Sequence, residues 1–194
     1  LTLSTYPLVT HSQTDEARRA GRVYLGILMS TSIGLLMIGV IWTWAAAGTL
    51  DFTPGGILKG KIDDGLVIVL LFLYMYGIGK AALMPIHRWL PAAMVAPTPV
   101  SALIHAVAVV KAGVFTVLKV IIYIFGADFL TETGASVWLM YVAGATVLLA
   151  SLVALTKDNL KARLAYSTIS QLAYVVLAGA LATSHSLVGG AMHI

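Results

Sequence analysis

The stretch GKAALMPIHRWLPAAMVAPTPVSALIHA, residues 79–106, decides how the rest of the chain is read. A lysine, Lys80, stands among apolar residues, with Gly77 and Gly79 before it and Pro85, Pro91, Pro97 and Pro99 after it. Proline removes a backbone donor and clashes with the preceding turn, and the residue before it is pushed away from helical geometry. A helix over 66–96 is therefore expected to break near Pro85 and to end at the Pro97-Thr98-Pro99 turn. Gly77, Gly79 and Pro85 form the expected hinge, with Lys80 one turn ahead of the break.

On either side the chain is written for lipid. Hydrophobic residues make up 59% of it and charged residues 10%, with a mean hydropathy of +0.94, well outside the mix of soluble domains. Residues 23–50, 65–79, 89–110, 133–156 and 164–194 contain no Asp, Glu, Lys or Arg. Several of these runs exceed the roughly 20 apolar residues that a helix needs to cross a bilayer core. Helices are expected near 23–48, 66–96, 98–125, 137–156 and 164–183, with partial ones at 1–10 and 186–194. The fold class is all-α, a polytopic transmembrane bundle with a discontinuous helix, in one domain over 1–194. Both ends fall inside apolar segments and no initiator Met is present, so the chain reads as an internal fragment of a longer protein.

Charge gives an orientation. Cytoplasmic loops hold the excess of Lys and Arg. Alternating connections put Arg18, Arg19, Arg22, Arg88, Lys157, Lys161 and Arg163 on one side, against Lys59 and Lys61 among Asp51, Asp63, Asp64, Asp128 and Glu132 on the other. Loops 11–22, 88–97 and 157–163 are accordingly expected in the cytoplasm, with the chain in the inner (plasma) membrane. Trp42, Trp44, Trp89 and Trp138 fall near span ends, where indole rings anchor in the headgroup zone. The net charge of +4 is scattered, with no basic run interleaved with aromatics, so a nucleic-acid partner is not expected. Cysteine is absent, which excludes disulfides, iron–sulfur clusters and thiolate metal sites within these residues. No cofactor and no metal are expected. Haem ligation needs facing histidines at similar depth, and His11, His87 and His185 fall near span ends.

Two lysines stand out because each lies near the middle of an apolar helix: Lys80 in 66–96 and Lys111 in 98–125. A lysine at the bilayer centre costs roughly 2.5–3.5 kcal/mol on insertion scales, so both side chains are expected to face protein or trapped water. Lysine is also the cation whose proton affinity responds most readily to its surroundings. The structural alternative is a lysine fixed by a buried carboxylate from elsewhere. Lys119 lies close enough to a span end to reach the interface by snorkelling. His105 precedes Lys111 by six residues in the same helix, about 120° around it, so water or a π-bulge would have to link the two. Tyr166, Ser167, Ser170, Gln171 and Tyr174 make one polar stripe, which serves helix adhesion as well as it serves a water wire. Lys161 sits at the mouth of that helix, and His193 lies in the last apolar segment.

The 79–106 run closely resembles the signature of the proton-translocating antiporter-like subunits found in NADH:quinone oxidoreductase (complex I), membrane-bound hydrogenases and Mrp Na⁺/H⁺ antiporters. DNLKARLAYSTISQL (158–172) and LSTYPLV (3–9) are similar to further segments of that family, so the resemblance covers essentially the whole chain. It implies two inverted five-helix repeats, each with a broken helix, and places Lys80 at the broken-helix lysine proposed to carry protons. Lys111 then falls at a lysine of the eighth helix that some subunits replace with a histidine at the place of His105, and Lys161 and His193 on the internal hydrophilic axis. The glutamate that pairs with the broken-helix lysine would lie outside these residues. Val95-Ala96-Pro97 and Val107-Ala108-Val109-Val110-Lys111 look most like Mrp subunits of the D type. The implied partners are other membrane subunits, the lipid bilayer and protons, with the coupled ion left open among Na⁺, K⁺ and H⁺ alone. A redox site is not among these residues, although the resemblance also fits a subunit of a proton-translocating NADH:quinone oxidoreductase.

Overall fold

The computed structural model describes residues 2–104 and 109–194, and the described residues are helical apart from turns and connections. A short helix, α1 (Thr2–Val9), packs on the first long one, which starts at Asp15 and not near residue 23. Thr14 caps that helix, its side-chain oxygen accepting from the Ala17 N–H at 3.2 Å, and Asp15 and Glu16 occupy the first turn. Acceptors and negative charge at this end meet the unpaired N–H groups and positive pole of a helix. Arg18, Arg19 and Arg22 therefore ride on helical turns and do not belong to a loop over 11–22. The helix runs as α2 (Asp15–Thr31), passes a π-helical turn at Ser32–Leu36, and continues as α3 (Met37–Ala47). Gly48 stops it at φ +74, a conformation glycine adopts without strain.

The break in the next segment begins earlier than the prolines indicate. Helix α4 (Asp64–Gly77) ends before Lys80, Ile78 leaves helical geometry, and Gly79–Ala81 forms a single 3₁₀ turn that Ala82 closes at φ +53. A second 3₁₀ turn, Ile86–Arg88, leads into α5 (Trp89–Ala93). Lys80 thus sits inside the break. Close tertiary approach accounts for this. A Cβ on Gly77 would meet the Leu36 backbone nitrogen at 2.5 Å, and one on Gly79 would meet the Thr31 hydroxyl at 2.5 Å. The end of α2 and its π turn press on the chain at these two glycines, while Pro85 only prevents helix from resuming. Pro91 is tolerated because it falls in the first turn of α5, where an N–H has no helical partner anyway. For the same reason, segment 88–97 is partly helical.

Beyond the prolines come α6 (Thr98–Ala102), α7 (Val109–Val120) and a π turn at Ile121–Phe125, after which the chain bends by 76° into α8 (Ala127–Thr133). Then α9 (Val137–Leu155) and α10 (Leu160–Leu181) form a helical hairpin, and α11 (Ser184–His193) folds back on α10 and α7. Asn159 caps α10, so helix begins inside the expected loop 157–163. By length and composition, Asp15–Ala47, Val137–Leu155 and Leu160–Leu181 can each cross a membrane, and the bent α7–α8 pair adds a fourth crossing if taken as one span.

Burial follows the logic of a lipid solvent. Ile33, Met37, Ile41 and Trp44 line the outside of the first span, and Leu148, Leu152 and Leu155 the outside of α9, all exposed. The centre is built around the broken segment. Trp89, expected as an interfacial anchor, is 0% exposed, while Trp44 at a span end is 61% exposed. The Trp89 indole N–H donates to the Gly79 carbonyl at 2.9 Å, and its ring meets Tyr24 edge-on at 5.7 Å. Tyr76 donates its hydroxyl to the Met84 carbonyl at 3.0 Å. The Tyr76 bond serves a carbonyl in the interruption itself, and the Trp89 bond adds a second donor to a carbonyl that already accepts within the 3₁₀ turn, so polar groups at the break are paired inside the protein, as a membrane interior requires. Trp89→Phe, which keeps a ring but removes this donor, is expected to destabilise the fold by about 1–3 kcal/mol, read as a lowered midpoint in thermal unfolding. An unchanged midpoint would mean that the bond contributes nothing.

Candidate functional site

Lys80 is half-buried in the 3₁₀ turn, and among the described residues its ammonium has no hydrogen bond or ion pair. Helix α7 crosses directly against it. A Cβ on Gly113 would lie 2.5 Å from the Lys80 carbonyl carbon and 2.8 Å from the Lys80 Cβ, so only glycine permits this approach. Sequence reading missed Gly113, although a glycine inside an apolar helix beside a lysine was a usable sign of close backbone contact.

Lys111 precedes Gly113 by two positions, about 200° around a helix. Its side chain therefore leaves α7 on the side away from the break. There it lines a cavity of about 360 Å³ between α7, α10 and α11, with Thr168, Gln171 and His193 among the walls. His193 Nε2 donates to Gln171 Oε1 at 2.9 Å, and the Tyr174 ring stands edge-on to the imidazole at 6.2 Å. Lys111 and His193, far apart in sequence, thus line one open recess whose walls are mostly apolar, and Lys111 is exposed there among the described residues instead of being enclosed by protein as expected. Lys80 and Lys111 do not: α7 lies between them. His105 lies outside the described residues.

The polar stripe on α10 divides by what its members touch. Ser170 is buried, shares a 2.8 Å hydrogen bond with Ser151 and donates to the Val147 carbonyl at 3.1 Å, tying α10 to α9. Gln171 and Tyr174 face His193. Ser167 joins Ser151 and Arg163 at the edge of a separate cavity of about 360 Å³. Tyr166 lies 6.0 Å from the His87 ring and under the Lys157 ammonium at 5.8 Å. His87, whose Nδ1 is buried without a well-formed hydrogen bond, brings an imidazole to the seam between the broken segment and α10.

Lys161 is engaged structurally. Its ammonium donates to the Ala96 carbonyl at 3.0 Å, which the Ser101 hydroxyl also reaches at 3.0 Å. Lys161 therefore fastens the start of α10 to the end of the broken segment. At the opposite end of the bundle, Lys61 donates to the Ala47 carbonyl at 2.9 Å, Lys59 pairs with Glu132 at 3.0 Å, and Lys119 lies over the Phe52 ring at 4.2 Å. Among the described residues, no cluster of three or more histidines or carboxylates could hold a metal ion.

The model of the family described as NADH:quinone oxidoreductase/Mrp antiporter, transmembrane, matches residues 1–194. Hydrogenase-4 component B of Escherichia coli (strain K12) is 34% identical over 199 residues, covering 100% of this chain and 28% of that protein. NAD(P)H-quinone oxidoreductase chain 5 of Synechocystis sp. is 37% identical over 150 residues, covering 74% of this chain and 21% of that protein. The solved Mrp complex from Dietzia sp. DQ12-45-1b contains a chain that superposes with a TM-score of 0.84 at 29% identity, over 99% of this chain and 21% of its own length. The chain thus spans between a fifth and a third of the length of these relatives.

The divided stripe makes a prediction. Ser170→Ala is expected to cost about 0.6 kcal/mol of stability, the mean for hydrogen bonds between membrane helices. Gln171→Leu should leave stability nearly unchanged but free the His193 ring, seen as faster modification of His193 by diethyl pyrocarbonate. Equal losses of stability in both variants would contradict the division.

Proposed function

Because the chain belongs to the NADH:quinone oxidoreductase/Mrp antiporter transmembrane family, and is therefore a multi-pass membrane protein, we propose that it conducts protons between Lys80 at the break and the Lys111–His193 recess. The observation that carries this reading is the half-buried Lys80 ammonium, uncompensated among the described residues and packed against the backbone of the helix that bears Lys111. A cation held this way is free to exchange its proton instead of serving a fixed ion pair. Interrupted helices in membranes stand where backbone lines a cavity or packs against protein, and in the proposed route the break at Lys80 is the place where protons enter. From there the route passes around α7 by bound water, with His105 as the sequence-based intermediate, to Lys111, Gln171 and His193. Lys161 stands at the cytoplasmic mouth, holding the broken segment in register, in the inner (plasma) membrane.

We assign the chain to a multi-subunit monovalent cation/H⁺ antiporter of the Mrp type. The wording of the 95–111 region supports this, as does the likeness to the Mrp complex over 99% of the chain. A second reading, a subunit of a membrane-bound hydrogenase or of complex I, is favoured by the match to hydrogenase-4 component B, which takes in the whole chain. Cation-dependent proton efflux from everted vesicles without any redox donor separates the two, since only the antiporter reading expects it.

Lys80→Ala is expected to abolish proton-coupled transport in an assembled complex. Lys80→Arg keeps the positive charge but cannot release a proton in a protein, so it should fail as completely. Normal transport by either assembled variant, measured as pH change in proteoliposomes, would rule out Lys80 as a carrier.

A further inference from the structure

The first turns of α2 carry a charge arrangement that proton conduction does not use. Arg18 and Arg22 are four residues apart and Arg19 and Arg22 three apart, so the three guanidinium groups share one side of the helix. They border a cavity of about 700 Å³ between the end of α1 and the start of α2, and Gln13 and Asp15 also reach it. Its floor depends on Gly21: a Cβ there would run into Thr10 and come within 3.0 Å of the Tyr6 ring, so glycine is what brings α1 down onto α2. Arg18 donates to the Gln13 side-chain oxygen at 3.4 Å, whereas Arg19 and Arg22 have no hydrogen bond or ion pair among the described residues. Asp15 is the single carboxylate on the cavity, leaving a clear excess of positive charge.

Depth then selects the ligand. The uncharged run that enters the bilayer begins at Val23, immediately after Arg22, so the cavity opens at headgroup level. Guanidinium groups bind phosphate through paired N–H donors, and basic pockets beside membrane helices on the side richer in cations meet anionic lipid. We propose that this cavity binds the phosphate of an anionic phospholipid, with Arg19 and Arg22 as its principal donors and Arg18, held by Gln13, as the third.

The test uses the assembled complex that contains the full chain, with phosphatidylglycerol as the probe and phosphatidylcholine and inorganic phosphate as parallel arms. Native mass spectrometry should find phosphatidylglycerol retained by the wild type and bound about 30-fold more weakly by the R19Q/R22Q variant. Hydrogen exchange on the wild type gives an answer that does not depend on the variant assembling. Phosphatidylglycerol should protect amides 11–22, and phosphatidylcholine should not. Equal retention by the variant would overturn the proposal. So would equal protection by inorganic phosphate, which would make the site one for free anion. Protection of 11–22 that is already complete without lipid would also overturn it, because a neighbouring protein segment would then fill the cavity.

Discussion

A helix interrupted within a membrane leaves carbonyl groups that lipid cannot satisfy, and each such group costs several kcal/mol if unpaired. In this chain the Gly79 carbonyl is where the two sides of the break are joined. It accepts from the Ala82 N–H at 3.1 Å inside the 3₁₀ turn and from the Trp89 indole at 2.9 Å. The second bond joins the two sides of the break, and its donor comes from the very segment that the break sets free. Tyr76 does the same for Met84, and Ser101 with Lys161 for Ala96. The broken segment is thus held by its own polar side chains, with one clamp contributed from α10. Everything chemically distinctive about Lys80 follows, because a lysine in a continuous helix would have faced a packed neighbour or lipid.

Glycine supplies the other half of the constraint. Gly77 and Gly113 let the Leu36 backbone and α7 close on the segment that holds Lys80, at separations no side chain would allow, and Gly79 makes room for the Thr31 side chain. Close approach of this kind fixes position without polar contacts, which suits a central ammonium that has no hydrogen bond or ion pair among the described residues. The π turn at Ser32–Leu36 belongs to the same arrangement, since it is the Leu36 backbone that abuts Gly77.

Much of the fold was legible because lipid imposes a coarse code. Uncharged runs long enough to span, cations concentrated at one set of ends and proline clusters gave the helices and the existence of a break. What stayed hidden was tertiary. Pro85 advertised the interruption, yet the chain leaves helix at Ile78 because of contacts with α2 that no local signal records. Trp89 looked like a belt residue since it sits near an apolar boundary, but a tryptophan also supplies a buried donor, and the break needed one. The start of α2 was misplaced for a different reason: Thr14 with Asp15 and Glu16 is a helix cap written in polar letters, and polarity alone resembled a loop. Of the site, Lys80, Lys111, His193 and Gln171 were each visible as polar residues in apolar segments, whereas the grouping of the last three, and the separation of the first from them, required the packing of α7, α10 and α11.

That separation bears on how the two lysines can communicate. With Lys80 against one side of α7 and Lys111 leaving the other, a helix about 10 Å across stands between them, too far for a direct proton transfer. Coulomb's law still acts over that gap. At an effective dielectric constant of about 20, two unit charges roughly 10 Å apart repel by about 1.7 kcal/mol, more than a tenfold effect on the population of the doubly charged state. Backbone packing at Gly113 fixes the Lys80 backbone against α7. In the proposed route, then, α7 divides the labour between two kinds of coupling. Protons travel around it through water and polar side chains, while the charge state on one side is felt directly through it by the other.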